Sequence, residues 1–300
     1  MSPPSPLPRK AVLVVNAHSR KGQDLFAEAE RKLRDAGIEL IASHAIEDPS
    51  RMTATVEQAV EAGAPMLIVG GGDGSLTSTI DNLVGRDCVF ALLPLGTANS
   101  FARSLGIPLD LDGAIDAIAN GRRRRVDLAV LNGYYYCNCA ALGLSPMIGD
   151  TVPHKLKRYL GRVGYLGWAI WCLVRFRPFR LTVRNGEQEE TLWATEVRIA
   201  NGPFHGGVEL IEEAELDSGE IIVQTVTGRS TLRLVWDWFA KYFKLPARQA
   251  TTREFRGRSL RIETRPALSV SVDGEVLTKT PADVEIAGKA VEVAVPSRPG

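Results

Sequence analysis

Between Ala11 and Asn120 short apolar runs alternate with segments of helical periodicity, and no other feature restricts the fold as much. Ala11–Asn16, Ile38–Ala45, Met66–Val69 and Cys88–Pro94 read as strands, and Gln23–Ala36, Thr53–Ala62, Ser75–Val84 and Leu111–Asn120 as helices. Strands joined through helices run parallel, and a parallel sheet needs cover on both faces. The expectation is an α/β domain with any ligand beyond the carboxyl ends of its strands.

After Gly121 the pattern changes. Val126–Leu131 and Tyr134–Ala141 flank Asn132-Gly133, a strong hairpin signal. Further strands are expected at Phe179–Arg184, Leu192–Ala200, Glu220–Thr225, Ser259–Glu263, Leu268–Val272 and Ala290–Val295, with turns at Asn185-Gly186 and Ala287-Gly288. This half reads as a mainly antiparallel β-sandwich, interrupted by helical stretches near His154–Phe176 and Thr231–Phe243.

Charge balance excludes a global attraction to nucleic acid, since 36 basic and 35 acidic side chains leave +1. Cys88, Cys137, Cys139 and Cys172 match no zinc or disulfide spacing, and Cys137 and Cys139 would share one face of a strand as buried thiols. The first ten residues have no apolar signal region and read as a disordered tail, which points to a cytoplasmic protein. The uncharged stretch Val163–Val174 falls short of the about 20 residues that span a bilayer.

Chemistry concentrates at strand ends. Gly70-Gly71-Gly72-Asp73-Gly74-Ser75 follows Met66–Val69 and opens a helix, so backbone N–H groups and a positive helix end can approach a phosphate unobstructed by side chains. Asp73 would repel that phosphate unless a cation lies between them or it orients a nearby donor, which suggests a magnesium-nucleotide site. The loop matches neither the P-loop nor the dinucleotide fingerprint, and glycine clusters after strands also make plain turns. Pro94-Leu95-Gly96-Thr97-Ala98-Asn99 ends the next strand, so Thr97 and Asn99 can face the same ligand. Asn16-Ala17-His18-Ser19-Arg20-Lys21-Gly22 ends the first; Ser19 suits a helix cap and Asn16 could hold a nucleotide.

In this order, Asn-x-x-Ser-x-Lys-Gly, Gly-Gly-Asp-Gly-Ser, Pro94–Arg103, Gly206-Gly207 with Leu216–Gly219, and Asp273-Gly274-Glu275 resemble the diacylglycerol kinase catalytic family, which includes bacterial soluble lipid kinases and sphingosine kinases. The resemblance runs from about Ala11 to Val295. It implies a nucleotide-binding α/β domain over 11–125, like that of NAD kinases and diacylglycerol kinases, and a β-sandwich lipid-substrate domain over 126–300. It also implies ATP and Mg²⁺ in the cleft between them. Carried position by position, Asn16, Ser19, Lys21, Gly71, Gly72, Asp73, Gly74, Ser75, Thr97, Asn99 and Glu275 fall on nucleotide-binding segments. Asp273 is the implied general base, with Glu275 beside it, and Asp217, Asp73 and Glu275 the implied magnesium network. The chain departs from the bacterial pattern at Ser100 and Ser218, where aspartates are common, and at Thr77-Ser78, where Asn-Glu is common.

Residues 154–180 combine seven Lys and Arg side chains with Tyr165, Trp168, Trp171 and Phe176 and no acid, which suits a helix lying at a lipid interface. A core helix with a basic end has the same spacing. Trp236, Trp238, Phe239, Tyr242 and Phe243 form a second aromatic group, and Arg122–Arg125 reads as a solvated turn. The expected activity is transfer of the γ-phosphoryl group of ATP to a lipid hydroxyl by a peripheral membrane enzyme that binds no nucleic acid; a homodimer is compatible with the sequence. Two alternatives stand beside it: a kinase of a soluble substrate, as in NAD kinases, and a nucleotide- or lipid-binding regulator without turnover.

Overall fold

The structure is a computed structural model that describes residues 6–18, 20–151, 167–231, 233, 234, 236 and 251–297. Its first half follows the alternation: β1 (Lys10–Asn16), α1 (Arg20–Asp35), β2 (Glu39–Ile46), α2 (Met52–Glu61), β3 (Met66–Gly71), α3 (Asp73–Ile80), β4 (Val89–Pro94), α4 (Ser100–Ser104) and α5 (Leu111–Asn120). The strands lie in the order β4-β3-β1-β2, all parallel. Their uniform apolarity reflects two covered faces: every residue of β3 and β4 is buried. α3 begins at Asp73 and stops at Ile80, shorter than the stretch to Val84, because a 3₁₀ turn, Asp81–Leu83, takes over. Of the expected tail, residues 1–5 lie outside the described set, whereas Leu7 packs against the core and the Pro6 carbonyl accepts from Arg123 Nε at 2.9 Å.

The second half is antiparallel: β5 (Arg122–Leu131), β6 (Tyr134–Tyr136), β7 (Cys139–Gly143), α6 (Leu144–Thr151), β8 (Phe179–Asn185), β9 (Gln188–Ala200), the short pair β10 (Phe204–His205) and β11 (Val208–Glu209), β12 (Ile221–Thr227), β13 (Thr252–Gly257), β14 (Ser259–Arg265), β15 (Ser269–Val272), β16 (Glu275–Lys279) and β17 (Ala282–Val295). Asn132 and Gly133 take φ of +49° and +89°, the left-handed pair that a tight hairpin requires. A second core of Tyr136, Phe179, Leu181, Val197, Ile199, Val223, Ile262 and their neighbours fills this half.

β17 joins the halves. Its early residues pair with β14 and with Ala129–Leu131, and Val291–Val295 pair with Arg122–Val126, while Glu292 and Val293 run parallel to β4. The expected Ala287-Gly288 turn is instead an irregularity within this one strand, with Lys289 at φ +52°. Buried Asp127 holds it there: Oδ1 accepts from the Lys289 N–H at 2.7 Å and Oδ2 from the Gly219 N–H at 2.8 Å.

The reading of Arg122–Arg125 as a turn is corrected. These residues are strand, paired with β17, and they find acids on it and beside it: Arg123 bonds Glu292 of β17 at 3.0 Å, and Arg124 bonds Asp217, from the loop before β12, at 2.8 Å. The expected continuous strand Tyr134–Ala141 is also interrupted, at Cys137 and Asn138. All four cysteines are buried thiols, and burial pushes Cys139 up to about 12.

Candidate active site

The carboxyl ends of β1, β3 and β4 lie side by side, with Val15 opposite Gly70 and Gly71 opposite Pro94. Two of the loops that leave them are packed backbone to backbone. A Cβ built on Gly96 would lie 2.4 Å from the Gly72 Cα, so the Gly-Thr-Ala-Asn loop closes on the Gly-Gly-Asp-Gly loop only because Gly96 lacks a side chain. Asn16 joins from β1, its Nδ2 donating to Ser75 Oγ at 3.1 Å. Gly72 caps α3 with no side chain over the helix end, so that end stays open to an anion.

Asn99 works inside its own loop. At φ +49° it accepts from the Gly96 N–H through Oδ1 at 2.9 Å and donates through Nδ2 to the Gly96 and Pro94 carbonyls. Its buried amide therefore holds the loop, and exposed Thr97 is the loop's polar side chain left toward solvent. Asp73 Oδ1 accepts from the Phe101 N–H at 3.2 Å and so ties the start of α3 to the start of α4. Ser100 Oγ accepts from the Gly207 N–H at 3.0 Å, tying α4 to the β10–β11 turn.

Asp273 is the centre of the arrangement. It occupies the turn between β15 and β16 at φ +45°. Its Oδ2 accepts from the Cys137 N–H at 2.9 Å and from the Thr77 hydroxyl at 3.0 Å, and its Oδ1 accepts from the N–H groups of Cys139 at 3.1 Å and Asn138 at 3.3 Å. This explains the break after Tyr136: the N–H groups that a ladder would use are turned onto the carboxylate. Burial raises the Asp273 carboxyl above the ordinary aspartate value, against the lowering pull of these donors.

Asp273, Asp73, Ser100, Asn138 and His205 line one cavity of about 200 Å³. Glu275 reaches the same place, its Oε1 3.6 Å from where a Cβ of Gly74 would stand, and its carboxylate makes no hydrogen bond or ion pair among the described residues. Asp217 is held elsewhere, gripped through both oxygens by the Arg124 guanidinium at 2.8 and 3.2 Å. Ser19 lies outside the described residues, and Lys21 is placed on α1 with its side chain undescribed.

Sequence reasoning overlooked Thr77, Asn138 and His205. Thr77 entered only as a departure from a family pattern, and His205 was passed over beside its two glycines. Burial holds the His205 imidazole below its ordinary value, against the opposing pull of Asp273. The one signal available was position: a histidine directly before a Gly-Gly turn in the segment already tied to the site.

Comparison with known proteins gives matches over both halves. Residues 10–131 match the diacylglycerol kinase catalytic domain model, and residues 140–295 the YegS C-terminal NAD kinase beta sandwich-like domain model. Similar proteins include a "Probable lipid kinase YegS-like" of Enterobacter sp. (strain 638), 32% identical over 74% of this chain and 76% of that one. A "Diacylglycerol kinase" of Staphylococcus epidermidis is 26% identical over 96% of this chain and 92% of its own. The crystal structure of a diacylglycerol kinase from Bacillus anthracis str. Sterne shares the fold, with a TM-score of 0.74 at 22% identity over 96% of this chain and 97% of that chain.

Proposed function

The chain belongs to the diacylglycerol kinase catalytic family, a family of phosphotransferases, and from that premise we propose that it transfers the γ-phosphoryl group of ATP to a lipid hydroxyl at the cytoplasmic membrane surface. The observation that carries this reading is the convergence of Asp273, Glu275 and the two glycine loops on one cleft.

ATP phosphates lie against the open N-terminus of α3, with Gly71–Ser75, Asn16 and Thr97 around the nucleotide. The lipid hydroxyl enters the cavity beside Asp273. Of the four donors on that carboxylate three are backbone N–H groups, and only the Thr77 hydroxyl can rotate away to free Oδ2 for an incoming hydroxyl. Asp273 then takes the proton as the lipid oxygen bonds to the γ-phosphorus and the bond to the bridging oxygen of ADP breaks.

The residues fit magnesium in part. Asp73 and Glu275 offer carboxylate oxygens without a competing cation, and magnesium commonly uses one or two carboxylates with substrate phosphates; Asp217 faces Arg124 instead. Among the described residues no three His, Cys, Asp or Glu side chains form a metal-sized group. When bound, the ion neutralises charge on the phosphates, and Asp73 and Glu275 would hold it.

Labelled phosphate transfer from ATP into an extracted lipid mixture tests the reading; label confined to water-soluble product would overturn it. The pH dependence is a second check. Activity requires the Asp273 carboxylate, whose pKa is raised, so the acid limb of kcat/KM is expected above the usual aspartate range. Thr77→Val removes a donor that favours the charged form, and the limb should move further up in pH. A limb that stays in place would disconnect Thr77 from the base.

Membrane contact rests on the helical residues 167–175. Ile170, Trp171 and Val174 share one face and are 55%, 45% and 80% exposed, while Cys172 on the other face is buried. Trp168 stacks on Trp171 at 4.5 Å and the Arg175 guanidinium lies 4.6 Å above it, an apolar body with a cationic rim. No described helix is long and apolar enough to cross a bilayer. Trp171→Ala with Val174→Asp is expected to weaken binding to anionic vesicles roughly tenfold or more, read by sedimentation. Unchanged sedimentation would remove this face from the proposal.

A further inference from the structure

The outer face of the sheet formed by β9, β8 and β14 carries three rows of side chains in register. One row is Glu189, Arg184 and Arg261, the next Thr191, Thr182 and Glu263, and the third Trp193, Arg180 and Arg265. In the first two rows every cation is matched. Arg184 bonds Glu189 and Glu263 at 2.6 and 2.9 Å, and Arg261 bonds Glu263 and Asp283 at 2.9 and 2.8 Å.

The third row has no such match. Arg180 stands directly opposite Arg265, a like-charge pairing that costs stability in an antiparallel ladder unless something lies between. Arg229 reaches into the same row from beyond β12: the guanidiniums of Arg180 and Arg229 lie 5.6 and 5.0 Å from the Trp193 ring centre. Among the described residues none of these three arginines has an ion pair. The buried indole N–H of Trp193 also has no acceptor among the described residues. Beside the row is a cavity of about 440 Å³ lined by Arg180, Arg265 and the threonines 182, 191, 264 and 280, and by Arg184 with the two glutamates it neutralises, Glu189 and Glu263.

We propose that this end of the face is an anion site that takes a phosphate group, distinct from the cleft at Asp273. The two unpaired guanidiniums of Arg180 and Arg265, with hydroxyls beside them, suit a tetrahedral dianion better than a carboxylate, because each planar fork can engage two oxygens and the two charges on either side balance. The two cavities share no lining residue. They are joined through the β15–β16 hairpin, whose tip is Asp273 and whose foot, at Thr280, borders the anion site. A bound phosphate therefore anchors the hairpin that presents Asp273.

The phosphate is either free in solution or the headgroup of a lipid, and binding measured without ATP separates the two. Titration of the whole protein with inorganic phosphate at constant ionic strength, followed by calorimetry and tryptophan emission, detects the free anion. Flotation with phosphatidylcholine vesicles, with and without phosphatidic acid, detects the headgroup. Saturable binding in either arm is expected, weakened roughly tenfold or more by Arg180→Gln with Arg265→Gln and retained in Arg256→Gln, an arginine paired with Glu254 outside the cavity. Arg265→Lys keeps the charge without the fork and should fall between. Absence of saturable binding in both arms, or equal binding by the doubly substituted protein with an unchanged melting temperature, overturns the proposal. Neither result bears on phosphoryl transfer itself, because no turnover is read.

Discussion

Asp273→Asn is expected to lower lipid phosphorylation about 100-fold or more and to lower the melting temperature as well. Asparagine tolerates the left-handed φ of +45° at this position, so the turn between β15 and β16 is kept and the loss is assignable to the carboxylate. The carboxylate receives two donors on each oxygen. Asparagine can match only one pair, and whichever way its amide turns, the NH₂ faces the other pair of donors. Leaving such a group unsatisfied costs about 1–3 kcal/mol. The two effects separate experimentally, because the variant can be assayed well below its midpoint while ATP affinity is measured independently. Full turnover in the asparagine variant would remove Asp273 as the base. A normal melting temperature would show instead that the donors reorganise around the amide.

Much of this arrangement was legible because it is local. The glycine loop, the Asn132-Gly133 hairpin and the parallel strands follow from patterns a few residues long, and the structure places Asn16, Gly71–Ser75 and the Thr97 loop at neighbouring strand ends. What was not legible depends on partners far away in sequence. Arg122–Arg125 are strand because β17 supplies both a hydrogen-bonding edge and Glu292. The strand through Cys137 breaks because Asp273 competes for its N–H groups. Asn99 looked like a ligand residue, yet its three hydrogen bonds return to its own loop. Asp217 sits in the expected segment, but Arg124, 93 residues away, claims both of its oxygens, a pairing no local pattern encodes. β13 and β16 went unread because their exposed, charged faces lack the apolar alternation that marks a half-buried strand.

Gly96→Ala is expected to be nearly as damaging as loss of the base, by a different route. The added methyl group would lie 2.4 Å from the Gly72 Cα, 3.2 Å from the Gly72 nitrogen and 2.8 Å from Asn99 Oδ1. Two of these neighbours are backbone, so no side-chain rotation relieves the clash, and the third is the amide that holds the loop closed. Relief requires the two loops to separate, which moves the Gly71–Ser75 segment away from Asn16 and Asp73 away from the Phe101 N–H. Overpacking of this kind costs about 1–3 kcal/mol. Because the displaced backbone is that of the proposed phosphate loop, ATP affinity should fall roughly tenfold for each 1.4 kcal/mol of lost binding energy. Gly72→Ala probes the same contact from the other side, where the nearest atom is the Gly96 Cα at 3.3 Å, and should be the milder change. Gly167→Ala, with no atom of the described residues within 4 Å, serves as the control that a methyl group alone is harmless. If thermal melts and nucleotide titration rank the first two variants in the opposite order, or leave Gly96→Ala at wild-type affinity, then the loops are not closed against each other when nucleotide binds.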